Sequence, residues 1–225
     1  MKRLLVLVEG QTEETFFNSL LQGHLAALGV AASCTMICTS REEGRRANRG
    51  GHLHKWRFIE RDLRLLLRSR PDAVTTMLDL YGFPPDIPGF PSTLPPATSD
   101  RVKKIGAAIS AAINDSRFIP GILAHEFEAL LFTAPPQIAE IAVDDEDRRQ
   151  SAAAALQAIA ASFPSPEDID DSPETAPSKR ILREIPGYEK PRHGPVIAAR
   201  VGLPAIRARC PSFSDWLGRL ESLGG

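Results

Sequence analysis

Short apolar runs alternate with helix-like patterns over the first 132 residues of the chain. The near-continuous apolar run 3–8 favours a strand that is covered on both faces, as the strands of parallel sheets are. Similar patterns predict strands at 31–38, 73–78 and 118–124 and helices at 12–28, 55–69 and 99–113. Because strands and helices alternate, the sequence predicts an α/β fold with a mostly parallel sheet of about four strands flanked by helices.

The pattern changes in the C-terminal part of the chain. Residues 135–161 are rich in alanine and predict helix, 162–178 read as a polar surface loop, and 178–222 predict short helices broken by prolines. We therefore expect an α/β core over residues 1–134. The helical extension 135–225 is expected to pack on that core rather than to form a separate domain.

Composition narrows the class of protein. The chain has 225 residues, of which 43% are hydrophobic, so a globular fold is expected rather than wholesale disorder. Its formal net charge of -1 excludes a uniformly basic surface for nucleic acid but allows a local basic patch. The apolar run before Glu9 is too short for a signal peptide or a membrane span, so a cytoplasmic protein without a membrane partner is expected.

Acidic residues follow three of the predicted strands. Glu9 comes after the first strand, Asp79 after the third and Glu126 soon after the fourth. In open α/β sheets, ligands bind just beyond the carboxyl ends of the strands. A carboxylate at the edge of a dry interior is costly unless it is paired or bound to metal, and Mg²⁺ prefers such oxygen ligands. These positions predict a magnesium-type site, with the alternative that each carboxylate only caps a helix or a turn.

The turn after the first strand adds candidates for phosphate and metal binding. Gly10 permits a positive φ and close approach by a ligand, and a helix that begins near Thr12 offers free N–H groups to phosphate. Glu13 is a candidate metal ligand. The alternative is that Glu13 lies in the first turn of a helix, where the helix dipole alone favours an acid.

Two basic segments are candidates for binding a nucleic-acid backbone. The segment 41–57 is rich in arginine and glycine, and a second basic group follows the polar loop. The alternatives are a solvated loop for the first segment and an ordinary charged surface for the second. The candidate residues are Arg45, Arg46, Arg49, Lys179, Arg180 and Lys190.

Several motifs resemble known proteins. The run 8–13, Val-Glu-Gly-Gln-Thr-Glu, resembles the first motif of Toprim-like nucleases. The wider chain resembles a bacterial family, the domain of unknown function numbered 4276. The motifs that carry this resemblance are Met77-Leu78-Asp79-Leu80-Tyr81-Gly82-Phe83-Pro84, His125-Glu126-Phe127-Glu128-Ala129-Leu130-Leu131-Phe132, Thr175-Ala176-Pro177-Ser178-Lys179-Arg180, and Cys210-Pro211 with Phe213 and Trp216.

The resemblance implies a Toprim-like fold in which Glu9 is a general acid or base or a metal ligand, and Asp79 holds Mg²⁺ (or Mn²⁺). The second aspartate of the Toprim motif is replaced here by Tyr81. Either Glu126 or Glu128 therefore substitutes, or the site binds metal weakly or not at all. Related Toprim-like families lie beside ATPases in phage-defence systems, so the resemblance also implies an ATPase partner.

Three functions follow as hypotheses. The first is Mg²⁺-dependent phosphodiester hydrolysis of nucleic acid, with Glu9 as base or ligand, Asp79 as ligand and Glu126 as a further ligand or an orienting group. The second is a catalytically degraded, Toprim-like binding subunit that partners an ATPase. The third is a small-nucleotide phosphohydrolase, in which the proline-rich stretch 82–96 would roof a narrow pocket.

Overall fold

In a computed structural model of the chain, the structure describes residues 1–38, 40–42, 45–47, 55–81, 83–169, 172 and 174–225, with only the backbone described for 40–42 and 45–47. Within these residues, the strands are β1 Lys2–Val8, β2 Val30–Met36, β3 Ser40–Glu42, β4 Arg45–Ala47, β5 Ala73–Asp79, β6 Phe118–Ile119 and β7 Ile122–Leu123. Five of them form one sheet in the order β2-β1-β5-β6, in which β7 also pairs with β5, further along that strand than β6 does. β3 and β4 form a separate antiparallel pair. Every pairing in the main sheet is parallel, so the predicted α/β class with its mostly parallel sheet is confirmed.

Helices cover both faces of the sheet. The N-terminal helical segment is α1 Gln11–Phe16, a π-helical turn Phe17–Leu21 and α2 Gln22–Ala27. The other helices are α3 Trp56–Arg68, α4 Thr98–Ile113, α5 Glu128–Leu131, α6 Pro135–Ala142, α7 Glu146–Ala161, α8 Pro177–Glu184, α9 Lys190–Val201, α10 Leu203–Arg209 and α11 Pro211–Glu221, with a 3₁₀ turn Pro166–Asp168. None of the helices within the described ranges is both long enough and apolar enough to cross a bilayer.

Alternation along the strands separates two hydrophobic cores. In β1, Leu4, Val6 and Val8 face one side of the sheet, and Leu5 and Leu7 face the other, as the two-residue period of a strand requires. The first side carries α1, α2 and the C-terminal helices, and the second carries α3 and α4. The C-terminal helices thus share a core with the sheet, while the division of the chain at residue 134 stays a prediction.

The fourth strand of the sheet is interrupted, which corrects the single strand predicted over 118–124. Pro120 lacks an N–H group, and Gly121 packs so closely that a Cβ there would lie 2.1 Å from the Thr76 carbonyl oxygen. Thr76 Oγ1 bridges the break because it accepts a hydrogen bond from the Gly121 N–H (3.0 Å) and donates one to the Gly121 carbonyl (2.8 Å). Trp216 Nε1 donates to Thr75 Oγ1 (2.9 Å), so α11 is tied to β5 at the same break.

Two other regions add detail to the predictions. The range 135–161, predicted to be helical, contains the two helices α6 and α7, and Asp145 caps α7 by accepting a hydrogen bond from the Arg148 N–H (2.9 Å). The predicted surface loop 162–178 contains Glu167, which is only 3% exposed. The Glu167 carboxylate accepts hydrogen bonds from the N–H groups of Ser212 (2.8 Å) and Phe213 (2.9 Å) in the first turn of α11, where a helix has unpaired donors.

Candidate functional site at the carboxyl edge of the sheet

Three neighbouring parallel strands bring acidic residues to one edge of the sheet. Val8 pairs with Met77, so Glu9 follows β1 beside the end of β5, where Asp79 is the last residue. On the other side of β5, Asp79 pairs with Leu123, three residues before Glu126. The Asp79 N–H donates a hydrogen bond to Glu9 Oε2 at 3.2 Å. Glu9 and Asp79 therefore meet at the carboxyl edge, the arrangement that a shared site requires.

Glu13 joins this edge from the first turn of α1. Its carboxylate accepts a hydrogen bond from the Gly10 N–H at 2.9 Å, a capping contact in the first turn where the helix dipole alone was the alternative considered for this residue. The side chain is nevertheless buried, and its charge acts on both Glu9 and Asp79. We refer to Glu9, Glu13 and Asp79 as the β1–β5 carboxylates.

Burial makes ionisation of the β1–β5 carboxylates costly. Loss of solvent, followed by repulsion from Glu13, raises the pKa of Glu9 to about 8. Loss of solvent and the neighbouring Glu9 raise the pKa of Asp79 well above its usual range, and burial raises that of Glu13. Within the residues that the structure describes, no donor reaches the buried Asp79 Oδ1. These groups are stable at neutral pH only if they keep protons or are balanced by a cation.

A second acidic group at the edge is paired with a lysine. Lys190 Nζ lies 3.0 Å from Glu126 Oε2 and 2.9 Å from Glu128 Oε2. The Ser178 N–H also donates to Glu126 Oε2 (3.3 Å), and Tyr188 donates its hydroxyl hydrogen to Glu128 Oε1 (3.3 Å). We refer to Glu126 and Glu128 as the lysine-paired carboxylates.

Charge balance differs between these two carboxylates. Burial opposes ionisation of Glu126, but Lys190 and Ser178 lower its pKa overall. Glu128 is completely buried, and this loss of solvent outweighs the attraction of Lys190 and raises its pKa to about 7. Burial also opposes the charge on Lys190, but Glu128, Glu126 and Asp79 together raise the lysine's pKa, so the ammonium stays charged.

Close packing of α9 against α1 places Lys190 at this edge. A Cβ on Gly194 would lie 3.2 Å from the Tyr188 hydroxyl oxygen, 3.2 Å from Phe127 and 3.3 Å from Thr12 Cγ2. Only a glycine therefore allows α9 to approach α1 without displacing these side chains. Thr12, a predicted phosphate ligand, is buried at this contact. The predicted phosphate role of Thr12 stays a prediction.

Neither Tyr188 nor Ser178 was a candidate site residue from the sequence, although both donate hydrogen bonds to the lysine-paired carboxylates. Ser178 does lie inside a motif that carried the family resemblance, and Tyr188 lies two residues before the candidate Lys190. Neither position shows its contact in the local pattern, because the partners are 52 and 60 residues away along the chain.

Three other predicted phosphate-binding residues differ in their surroundings. Gly10 has a φ of −151°, which is ordinary extended backbone, so the positive φ that a glycine permits is not used there, and its predicted contact with phosphate stays a prediction. Arg180 Nε donates to the Thr175 carbonyl (2.7 Å), and its guanidinium lies 5.3 Å from the centre of the Phe163 ring. Lys179 is exposed beside Ser178.

The chain leaves the sheet at the acidic edge shortly before the arginine-rich segment begins. Val8 pairs with Met36 at the end of β2, and the chain then continues into the β3–β4 hairpin, a feature that the sequence pattern did not predict. Arg45 and Arg46 belong to β4, where only the backbone is described. Arg49 lies outside the described residues, so its predicted contact with phosphate stays a prediction.

The donor atoms at the edge suit a magnesium-type ion in one particular mode. Over the described ranges, no group of three His, Cys, Asp or Glu side chains is arranged to hold a metal ion. A closed cage of protein ligands is therefore not formed by these residues. Mg²⁺ commonly binds through one or two carboxylates and completes its shell with water and substrate phosphate. Asp79 Oδ1, which is buried without a donor beside Glu9, fits that mode.

A groove without acidic site residues lies elsewhere on the molecule. A groove of about 630 Å³ runs between α4 and α11 and is lined in part by Lys103, Trp216 and Arg219. It includes none of the residues predicted for the site. Size alone therefore does not locate the acidic chemistry of this protein.

A family model described as a domain of unknown function, DUF4276, matches residues 8–221. The chain belongs to this family. The match extends from the residue before Glu9 to the end of α11, so it includes both acidic groups and Lys190. The family resemblance given by the sequence motifs is thereby confirmed, and a search of curated proteins returned no match.

Solved structures give a second comparison. The C-terminal region of the Burkholderia pseudomallei OLD protein is similar to this family member at 14% identity, with 100% of both chains covered and a TM-score of 0.45. The C-terminal region of the Xanthomonas campestris pv. campestris OLD protein is similar at 16% identity, with 99% of this chain and 98% of that chain covered and a TM-score of 0.43. A second structure of that region, phased with iodine, is similar at 17% identity, with 99% and 97% covered and a TM-score of 0.43.

Proposed function

We propose that the chain is a Mg²⁺-dependent (or Mn²⁺-dependent) phosphodiester hydrolase that acts on nucleic acid. The observation that supports this proposal most is the buried Asp79 Oδ1. It has no donor among the described residues and lies beside Glu9 at the edge where parallel sheets bind ligands. A buried carboxylate in this state is costly to the fold, and a bound cation would remove that cost.

Asp79 and Glu9 would hold the ion, and the buried charge of Glu13 would act on both of these ligands. When bound, such an ion supplies charge stabilisation at a phosphate and a water of lowered pKa. Glu9 also has a second role available, because a carboxyl group with a pKa near 8 can accept or return a proton close to neutral pH. Lys190 adds fixed positive charge beside the reacting phosphate, and Glu126 and Glu128 hold that ammonium in place.

Nucleic acid is the proposed substrate because the chain leaves β2 at the acidic end of the sheet, a few residues before the arginine-rich segment begins. The arginine-rich segment follows β2, which ends beside β1. Arg45, Arg46 and Arg49 would contact the phosphate backbone on either side of the scissile bond. An ATPase partner and a role in phage defence belong to this proposal through the resemblance alone.

A catalytically degraded binding subunit is the second candidate. Tyr81 occupies the place of a second aspartate, and its N–H donates to the His125 carbonyl (2.8 Å), so this segment is tied to the chain that leads to Glu126. The lack of a three-ligand group within the described residues also favours this candidate. On this reading the chain would bind nucleic acid or a partner without cutting.

Cleavage assays separate the two candidates. Full-length protein would be incubated with plasmid, single-stranded DNA and RNA in Mg²⁺ or Mn²⁺, together with the variants Asp79→Asn and Glu9→Gln. We expect cleavage by the wild type and a loss of at least about a hundredfold in each variant, the scale of losing a group that acts on the transition state. Asp147→Asn, an exposed acid in the first turn of α7, is the matched control and should cut normally.

The proposal fails if the wild type cuts no substrate while the folded protein takes up no Mn²⁺ at millimolar concentration. Binding of nucleic acid without cleavage would support the degraded binding subunit. The metal-free Asp79→Asn variant should also melt at a higher temperature than the wild type, because an amide removes a buried charge that repels Glu9.

A further inference from the structure

We infer that Lys190 takes the place of a second metal ion, so that the acidic edge binds one divalent cation per chain instead of two. This inference rests on the proposed function, because it presumes a cation at the β1–β5 carboxylates. It assigns the lysine-paired carboxylates to the ammonium and not to metal. It also gives Glu128 a role as a positioning residue that holds Lys190.

The geometry around Lys190 is that of a filled cation site. Its Nζ lies almost equally far from Glu126 Oε2 and Glu128 Oε2, at 3.0 and 2.9 Å. The contact with Glu126 is a charge-assisted hydrogen bond, whereas that with Glu128 Oε2 is an ion pair without hydrogen-bond geometry. A metal ion would need both oxygens at about 2.1 Å and could not share this position with the ammonium. The Lys190 side chain as a whole is 41% exposed, and its Nζ contacts carboxylates whose side chains are 7% and 0% exposed.

Both carboxylates carry further contacts that fix them toward the lysine. Glu126 accepts from the Ser178 N–H, and Glu128 accepts from the Tyr188 hydroxyl group, so neither is arranged to turn toward an additional ion. These contacts come from α8 and from the segment just before α9. The C-terminal part of the chain thus supplies Lys190 and also Ser178 and Tyr188, which hold the two carboxylates that contact this lysine.

The β1–β5 carboxylates differ from the lysine-paired carboxylates in the kind of contact they make. Glu13 accepts from the backbone N–H of Gly10, and Glu9 accepts from that of Asp79. Asp79 Oδ1 has no donor within the part of the chain that the structure describes. The inference therefore assigns the divalent cation to Asp79 Oδ1 and the ammonium of Lys190 to the lysine-paired carboxylates.

The number of bound ions tests this inference directly. Mn²⁺ binding to the full chain would be measured by calorimetry and by the electron paramagnetic resonance signal of the free ion. We expect one ion for the wild type and two for Lys190→Met, because the variant leaves Glu126 and Glu128 without their cation. Lys190→Arg keeps the positive charge and should bind one ion. The double variant Lys190→Met/Glu128→Gln should return to one.

Two results would overturn the inference: two ions bound by the wild type, or the same number bound by the wild type and by folded Lys190→Met. If the wild type binds none but Lys190→Met binds one, the replacement of an ion by Lys190 stands, whereas the single-cation site and with it the proposed function are lost. If Lys190→Met does not fold, Glu128→Gln decides. We expect its Mn²⁺ affinity within about twofold of the wild type, whereas Asp79→Asn should lose more than about tenfold; a comparable loss in Glu128→Gln would contradict the inference.

Discussion

The two acidic groups at the carboxyl edge are similar in burial and opposite in how their charge is compensated. Glu9 and Glu13 accept backbone hydrogen bonds, all three β1–β5 carboxylates have raised pKa values, and Asp79 Oδ1 has no donor among the described residues. The lysine-paired carboxylates share the ammonium of Lys190, supplied by α9. The difference teaches that the fold supplies a cation to one half of the edge, whereas Asp79 in the other half depends on a ligand or on a bound proton.

The largest expected effect on stability comes from Gly121, where the break between β6 and β7 packs against β5. Gly121→Ala should lower the free energy of unfolding by about 3 kcal/mol, because the new Cβ would lie 2.1 Å from the Thr76 carbonyl oxygen and 2.3 Å from Trp216 Nε1. β7 would have to move away from β5, and Glu126 would move with it relative to Asp79. Urea unfolding measures the change. Gly187→Ala, where a Cβ meets no atom within 4 Å, is the control, and equal stability of the two variants would contradict this prediction.

Removing the lysine should damage the completed half. Lys190→Met leaves the buried Glu128 without its cation, and we expect a loss of about 2 kcal/mol at pH 7. This is less than a fully buried pair would lose, because the Lys190 side chain is 41% exposed. Chemical denaturation checks this value, with the exposed Lys179→Met as the matched control. Unchanged stability in Lys190→Met would mean that the pair contributes nothing to the fold.

The dependence of stability on pH should come from the other half. Burial raises the pKa of Glu9 from 4.5 to about 8, so between these values the native state holds a proton that the unfolded state has lost. The contribution of Glu9 to stability is therefore greatest below about pH 4.5 and falls as the pH rises to about 8. Without divalent metal, Glu9→Gln should make the slope shallower by up to about 1.4 kcal/mol per pH unit. Identical slopes for variant and wild type in EDTA would contradict this.

The smallest effect is expected at the turn after β1. Gly10→Ala should change the free energy of unfolding by about 0.5 kcal/mol or less, because φ is −151° and the new Cβ would lie 3.4 Å from Glu13 Oε2, an ordinary contact. Urea unfolding and Mn²⁺ titration measure both consequences. A loss of more than about 2 kcal/mol would show that the turn has a requirement for glycine that this geometry does not contain.

The sequence predicted the half of the site that depends on strand order. Apolar runs that end in Glu9 and Asp79 identify two strands, and parallel pairing brings their ends to one edge. The pairing of Glu126 with Lys190 could not be predicted in this way, because it depends on how α9 packs 64 residues further along the chain. The buried Glu167 was missed for the same reason, since its partners are 45 and 46 residues away. Local patterns predict elements, whereas contacts between distant elements require the packed fold.

The origin of Lys190 in the last part of the chain has a consequence for how the protein matures. The strands that carry Glu9, Asp79 and Glu126 are synthesised before the lysine that balances two of the edge's carboxylates. Until α9 docks, the growing chain carries acids at this edge without their ammonium, which favours late rather than early closure of the edge. If Lys190 takes the place of an ion, docking of α9 would then be marked by a change from two bound ions to one, and not by metal uptake.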